Sequence, residues 1–229
     1  MNAASAPATT EKRLSGMNLR AVSAAVMAVP ALAAVYYGPP WFTALVLAAA
    51  IAMGWEWSRM CGGNPKWLIA GILYISIPSG ILIWLRGDVA SGMITIFWLF
   101  AVVWTADIAA YISGRSIGGP KLAPRISPKK TWAGFIGGIT IATLVAGSFA
   151  VYWDGSPLLL GIWGAVVAIA SQAGDLLESA IKRHFGVKDS STLIPGHGGV
   201  LDRVDALVAG AVAIAILKYT LGRDVMPWL

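Results

Sequence analysis

Charge is scarce in this chain. Of its 229 residues, 12% are Asp, Glu, Lys or Arg and 57% are apolar. An ordinary soluble domain has about 25% charged and 45–50% apolar residues. The scarcity excludes a molecule that covers itself with polar surface, and it makes lipid part of the solvent. Cysteine is almost absent: the single Cys61 excludes an intrachain disulfide and reads as a small buried or interfacial residue. With only two histidines there is no Cys/His set for zinc. No Gly-x-x-x-x-Gly-Lys-Ser/Thr run occurs, which excludes a P-loop. No polar stretch between the apolar runs is long enough for a soluble domain.

What is present is a series of apolar runs of membrane-crossing length, about 20 residues each. Seven are expected, at 19–38, 41–58, 67–85, 91–113, 132–152, 158–181 and 201–221. The third contains Ile77-Pro78-Ser79-Gly80, a sequence that kinks or breaks a helix. The fold class is therefore all-α, a polytopic transmembrane bundle. Residues 1–18, rich in Ala, Ser, Thr and Pro, are expected to be a disordered tail, and 19–229 a single membrane domain. The first run resembles a signal peptide weakly, and the charge pattern favours its retention. With the N-terminus inside, Lys12, Arg13, Arg20, Arg59, Lys66, Arg115, Lys121, Arg125, Lys129, Lys130, Lys182, Arg183, Lys188 and Arg203 lie inside, and only Arg86, Lys218 and Arg223 lie outside. Fourteen against three sets the orientation as N-in and C-out. The net charge of +6 then reflects positive-inside loops and anionic lipid rather than nucleic acid.

The few charges near spans converge on that inner face, where such residues are costly and usually functional. Asp107 falls near the inner end of the fourth span. Asp175, Glu178, Ser179 and Lys182 stand at i, i+3, i+4 and i+7 in the sixth, on one helix face. An intramembrane salt bridge to Lys182 is the plainer alternative for this set. The loop Lys182-Arg183-His184 through Lys188-Asp189 continues to Pro195-Gly196-His197-Gly198-Gly199. It offers cations and freely bending backbone to a phosphate, or it is simply a positive-inside loop. Asp202 and Asp205, at i and i+3, cap a helix N-terminus or hold Mg²⁺, which favours a few carboxylates plus water and phosphates. Ser127-Pro128-Lys129-Lys130-Thr131-Trp132 is either a basic membrane anchor or a further phosphate contact.

Several segments together resemble one family. Ser179-x-x-Lys182-Arg183-x-x-x-x-Lys188-Asp189, with Pro195-Gly196-His197-Gly198-Gly199-x-x-Asp202-Arg203-x-Asp205, is similar to the signature of the phosphatidate cytidylyltransferase (CDP-diacylglycerol synthase) family. So are Gly174-Asp175-x-x-Glu178-Ser179, Asp107-x-x-x-Tyr111-x-x-Gly114-Arg115 and the Ser127–Trp132 segment. The resemblance covers about 104–205; the first 100 residues match in hydropathy only. Two features depart from the family. Ala133 stands where an acidic residue is usual, and the chain is short, which bears on the helix count.

The resemblance implies cytidylyl transfer from CTP to phosphatidic acid, giving CDP-diacylglycerol and pyrophosphate at the inner cell membrane, with the site facing the cytoplasm. It implies Asp175, Asp202 and Asp205 as Mg²⁺ ligands, with a monovalent cation beside them left open. Lys182, Arg183, Lys188, Asp189 and His197 join them as the catalytic set. Asp107, Arg115, Ser127, Lys129, Lys130, Thr131, Ser179, Gly198 and Gly199 would bind substrate. Partners are the two substrates and membrane lipid, not nucleic acid, with a homodimer left open. A sister enzyme acting on another lipid phosphate is the nearer alternative. A transporter is the farther one, because its ionisable residues should spread to the midplane. The topology sets one further expectation: Asp107, Asp175 and Asp202, on three different spans, should line one cavity.

Overall fold

A computed structural model describes residues 7–153, 155–194 and 198–221. Among these described residues, eight helices and one hairpin follow in chain order: α1 (Pro7–Tyr37), α2 (Trp41–Met60), α3 (Pro65–Gly87), α4 (Gly92–Ser116), β1 (Lys121–Ala123), β2 (Ser127–Thr131), α5 (Trp132–Ser148), α6 (Ala150–Trp153), α7 (Pro157–His184) and α8 (Leu201–Leu221). Several starts are written in the sequence. Asn64 precedes Pro65 and accepts the Lys66 N–H at 3.1 Å, and Ser156 precedes Pro157 and accepts the Leu159 N–H at 3.3 Å. A polar cap followed by proline, whose absent N–H would have no partner there, is a strong helix start.

Five helical stretches are long and apolar enough to cross a membrane: Trp41–Met60, Pro65–Gly87, Gly92–Ser116, Trp132–Tyr152 and Pro157–His184. The other two expected spans are helical as well. The described apolar part of α1, Val22–Tyr37, is shorter than a span, and α8 carries Asp202, Arg203, Asp205 and Lys218. α1 begins at Pro7, inside the stretch expected to be a tail; proline is tolerated at a helix start. Two expectations need correction. The third span is not broken: it is one continuous helix with Pro78 buried inside it. The all-α expectation misses the antiparallel hairpin, in which Lys121 pairs with Thr131 and Ala123 with Ser127. In a two-stranded ribbon both strands are edges, which is where Pro128 is tolerated.

The core runs along α4, whose Ile96, Trp98, Leu99 and Val102 are fully buried. Small residues let its neighbours approach closely. A Cβ on Gly134 would fall 2.7 Å from the Ala110 carbonyl oxygen, and one on Gly138 would fall 2.7 Å from that of Ala106, so α5 lies directly on α4. A Cβ on Gly174 would fall 2.9 Å from the Asp205 carbonyl oxygen, so α7 lies as closely on α8. A Cβ on Gly138 would also fall 3.1 Å from Gln172 Nε2 of α7, so α5 bridges α4 and α7, and the C-terminal halves of both lie beside the first turn of α8. A second, smaller apolar cluster of Met53, Trp57, Cys61, Ile75 and Leu201 supports the same end from α2 and α3.

Candidate functional site

At that end lies a cavity of about 230 Å³ lined by Asp107, Asp175, Lys182, Asp189, Asp202, Arg203 and Asp205. Asp107 comes from α4, Asp175 and Lys182 from α7, Asp189 from the loop after it, and the rest from α8. A second cavity of about 430 Å³ adjoins it and shares Asp107 and Asp175. Its polar wall is Arg115, Lys129, Lys130 and Thr131, and its apolar wall includes Tyr111, Leu122 and Phe135. One compartment is thus almost wholly charged and the next is amphipathic, with two aspartates between them.

The charges are organised by lysines. Lys130 Nζ reaches across from β2 to Asp175 Oδ2 at 2.5 Å. Lys182 Nζ lies 2.5 Å from Asp202 Oδ1 and 2.6 Å from Glu178 Oε2 one helical turn back, and all three side chains are nearly inaccessible. Neither Glu178 oxygen has a well-directed hydrogen bond. Asp202 is the hub of the following loop: its Oδ2 accepts the Gly199 N–H at 2.8 Å, the Ser190 N–H at 3.0 Å and the Ser190 hydroxyl at 3.0 Å. Gly198 has φ +86°, a left-handed conformation that favours glycine, and a Cβ there would fall 2.7 Å from Asp202 Oδ2.

Several expected site residues face elsewhere. Arg183 donates to the carbonyls of Ile126 at 3.3 Å and Val187 at 2.9 Å, tying the hairpin to the loop after α7. Thr131 is buried and caps α5 by accepting the Gly134 N–H at 3.1 Å, although it also borders the second cavity. Ser179 touches Asp175 weakly, at 3.4 Å. Ser127 pairs with Ala123 at the start of β2, and Lys188 is exposed; neither lines the two cavities described. Gly199 contributes its N–H to Asp202. His197 lies outside the described residues.

Sequence reasoning missed two contributors. Arg203 lines the charged cavity. Glu56, in the last turns of α2, is fully buried and binds the loop that carries Ser190, Gly199 and Leu201. Its signal was available: it is the sole carboxylate in an otherwise apolar span, which is costly without a reason.

Among the described residues no three His, Cys, Asp or Glu side chains converge closely enough to hold a metal by themselves. The donor chemistry nonetheless suits Mg²⁺. Five aspartates against one lysine and one arginine line the charged cavity, all the acceptors are oxygen, and Mg²⁺ ordinarily completes its shell with water and substrate phosphate.

Residues 64–221 match the sequence model of the cytidylyltransferase family. The chain is 49% identical over 175 residues to the phosphatidate cytidylyltransferase of Brucella suis biovar 1 (strain 1330), a match covering 74% of this chain and 62% of that protein. It is 39% identical over 209 residues to the phosphatidate cytidylyltransferase of Rickettsia bellii (strain RML369-C), covering 88% and 90%. Against that of Rickettsia conorii (strain ATCC VR-613 / Malish 7) it is 33% identical over 216 residues, covering 91% and 94%. The chain thus spans less than two thirds of the Brucella protein but nearly all of the Rickettsia ones.

Proposed function

Because this chain belongs to the cytidylyltransferase family, we propose that it transfers the cytidylyl group of CTP to phosphatidate, forming CDP-diacylglycerol and releasing pyrophosphate. The observation that carries this reading is the pair of adjoining cavities with Asp107 and Asp175 between them. An acid-rich chamber suits a nucleoside triphosphate that arrives with a divalent cation. An amphipathic one with Arg115, Lys129 and Lys130 on one wall suits a phosphate with apolar tails. A two-tailed lipid reaches such a site sideways from the bilayer, since exposing its chains to water costs about 0.8 kcal/mol per CH₂.

The chemistry follows from charge. A phosphate monoester is largely dianionic near neutral pH, so its oxygen needs no strong base to attack the α-phosphorus of CTP. The new P–O bond forms as the bond to the β-phosphate oxygen breaks, and that electron pair leaves with pyrophosphate. The obstacle is the meeting of two anions, which positioning and fixed cations relieve. Lys130 and Lys182 now neutralise Asp175 and Asp202; a bound triphosphate offers both lysines new partners and leaves the carboxylates to a cation. Asp175, Asp202 and Asp205 would hold Mg²⁺, which when bound neutralises charge building on the triphosphate. The basic residues around both cavities, together with the positive-inside bias, favour a seven-span arrangement in the cell membrane with this end in the cytoplasm.

The test is turnover of CTP by the purified full chain with phosphatidate and Mg²⁺, followed as pyrophosphate and CDP-lipid formation. An isoprenoid phosphate in place of phosphatidate separates the sister activity. CTP turnover with the isoprenoid phosphate alone would overturn the lipid assignment, and none with either would overturn the reaction. A reporter fused after Leu229 that is active only in the cytoplasm would overturn the orientation.

A further inference from the structure

Glu56 lies outside every segment that resembles the family signature, yet it accepts hydrogen bonds from four donors in the described part of the site loop and the first residue of α8. Its Oε1 accepts the Ser191 hydroxyl at 2.7 Å and the Val200 N–H at 2.9 Å; its Oε2 accepts the Leu201 N–H at 2.8 Å and faces the Ser190 hydroxyl at 3.2 Å. Four donors converge on one side chain from α2. The Ser190 hydroxyl has a single proton and stands between two carboxylates, 3.2 Å from Glu56 and 3.0 Å from Asp202. These loop residues are therefore held from two elements, by Asp202 of α8 on the cavity side and by Glu56 of α2. The space between is filled: a Cβ on Gly199 would fall 2.5 Å from Glu56 Oε1.

The arrangement is a poor way to gain stability alone. Glu56 is fully buried and has no lysine, arginine or histidine in ion-pair range among the described residues. A buried carboxylate carries a large desolvation cost, and an apolar side chain of similar volume would often serve packing as well or better. What an all-acceptor group can do, and an apolar one cannot, is fix four donors at one set of distances. Glutamine would replace one acceptor oxygen with an N–H₂ facing other N–H or O–H donors. Aspartate would be one methylene too short.

We infer that Glu56 is a positioning residue: it holds Ser190, Ser191, Val200 and Leu201 so that Asp202, and through it Lys182, keep their places in the charged cavity. This rests on the reaction proposed above for its consequence in turnover, though not for its geometry. The test uses the purified full chain and its Glu56→Gln variant, read by CTP turnover and by amide hydrogen exchange. The expected result is a fall in kcat of roughly 10–100-fold, as for other residues that orient ligand-binding side chains, with KM for phosphatidate unchanged. Exchange should quicken at Ser190, Gly199, Val200 and Leu201, while α4 and α5 keep the exchange of the unaltered protein. Unaltered kcat, or equally faster exchange throughout the bundle, would overturn the inference; the latter marks a residue that only stabilises the fold. If Glu56→Gln does not fold, Ser191→Ala decides, since it removes one of the four donors: a smaller fall in kcat with locally faster exchange supports the inference, and unaltered kcat and exchange overturn it. If the unaltered protein turns over no CTP, the proposed reaction fails, while the exchange pattern still decides whether Glu56 fixes the loop.

Discussion

Charged groups gather at both ends of this bundle, and each end contains a lysine–aspartate pair. At the end opposite the cavities, Asp88 Oδ1 accepts the N–H groups of Ala90 and Ser91 at 3.0 Å, its Oδ2 meets Lys218 Nζ at 3.1 Å, and that lysine also lies over the Trp84 ring. Arg86 donates to the Val35 carbonyl at 2.7 Å and so joins α3 to the end of α1. Acids and bases there are satisfied by backbone and by each other. At the cavity end the lysines also find aspartates, but carboxylates remain in excess around an open chamber. One cluster closes a helix junction; the other keeps unneutralised acceptors facing a space. The second arrangement costs stability, which marks it as the candidate functional cluster.

The largest test of the contrast is activity. Asp175→Asn and Asp202→Asn should nearly abolish CTP turnover, a loss exceeding about 100-fold, because asparagine keeps the shape but removes the charge. Asp88→Asn should leave turnover unchanged. Equal losses at both ends would erase the distinction between a working cluster and a structural one.

Stability sharpens it next. Lys182→Met leaves two buried carboxylates, Glu178 and Asp202, without their shared cation. It should destabilise the protein by about 3–5 kcal/mol, the usual cost of removing one partner from a buried pair. Lys218→Met breaks a partly exposed pair and should cost less than about 1 kcal/mol. Thermal unfolding of both variants in the same detergent decides; similar midpoints would mean that burial does not separate the two clusters.

Much of the cavity end was legible in the sequence because its parts obey simple rules. Hydropathy set the helices, alternation put their ends on one side, and the cost of charge near hydrocarbon drew Asp107, Asp175 and Asp202 into one cavity. Which lysine faces which aspartate was not legible. Lys130 reaches Asp175 only because residues 121–131 form a hairpin, and a short ribbon containing proline leaves almost no periodic trace. The resemblance implies Arg183 as catalytic and Thr131 as a substrate contact; in the fold Arg183 also holds backbone carbonyls and Thr131 also caps a helix. A residue type tells what a side chain can bind, and the fold decides which partner arrives first. Glu56 stands out locally as a lone carboxylate in an apolar span, but its partner Ser190 lies 134 residues on, so the contact itself was not legible.

Helix contacts extend the comparison from charge to backbone. Gly174→Ala would push a methyl group toward the Asp205 carbonyl on α8, 2.9 Å from the new Cβ. Overpacking of that kind costs about 1–3 kcal/mol, and because it separates α7 from α8 it should also lower turnover. Gly80→Ala in α3 meets nothing within 4 Å. There alanine's better helix propensity should leave stability unchanged or raise it by up to about 1 kcal/mol. Unfolding midpoints and CTP turnover on the two variants measure whether close packing is concentrated where the cavity is built. A harmless Gly174→Ala would show that the two helices can part without moving Asp175 or Asp205.

The smallest effect expected is a pH dependence at the far end. Asp88 titrates below the ordinary carboxylate value, first because the Ser91 N–H bonds its charged form and also through Lys218 and the Ala90 N–H; partial burial opposes the shift. A carboxyl group whose folded pKa is depressed stabilises the fold fully above its unfolded pKa, about 3.9. That contribution is lost as pH falls through the lower folded value. Removing the charge by Asp88→Asn should therefore lower the unfolding midpoint slightly at neutral pH, by no more than a surface pair's worth of about 1 kcal/mol. The difference from the unaltered protein should shrink below pH 4 or so, where the native aspartate also becomes neutral. Unfolding scans of the two proteins between neutral pH and pH 3 make the comparison. A difference that grows on acidification would mean that neutral Asp88 stabilises this junction more than its ion does, and that the far cluster is no simple closure of charge.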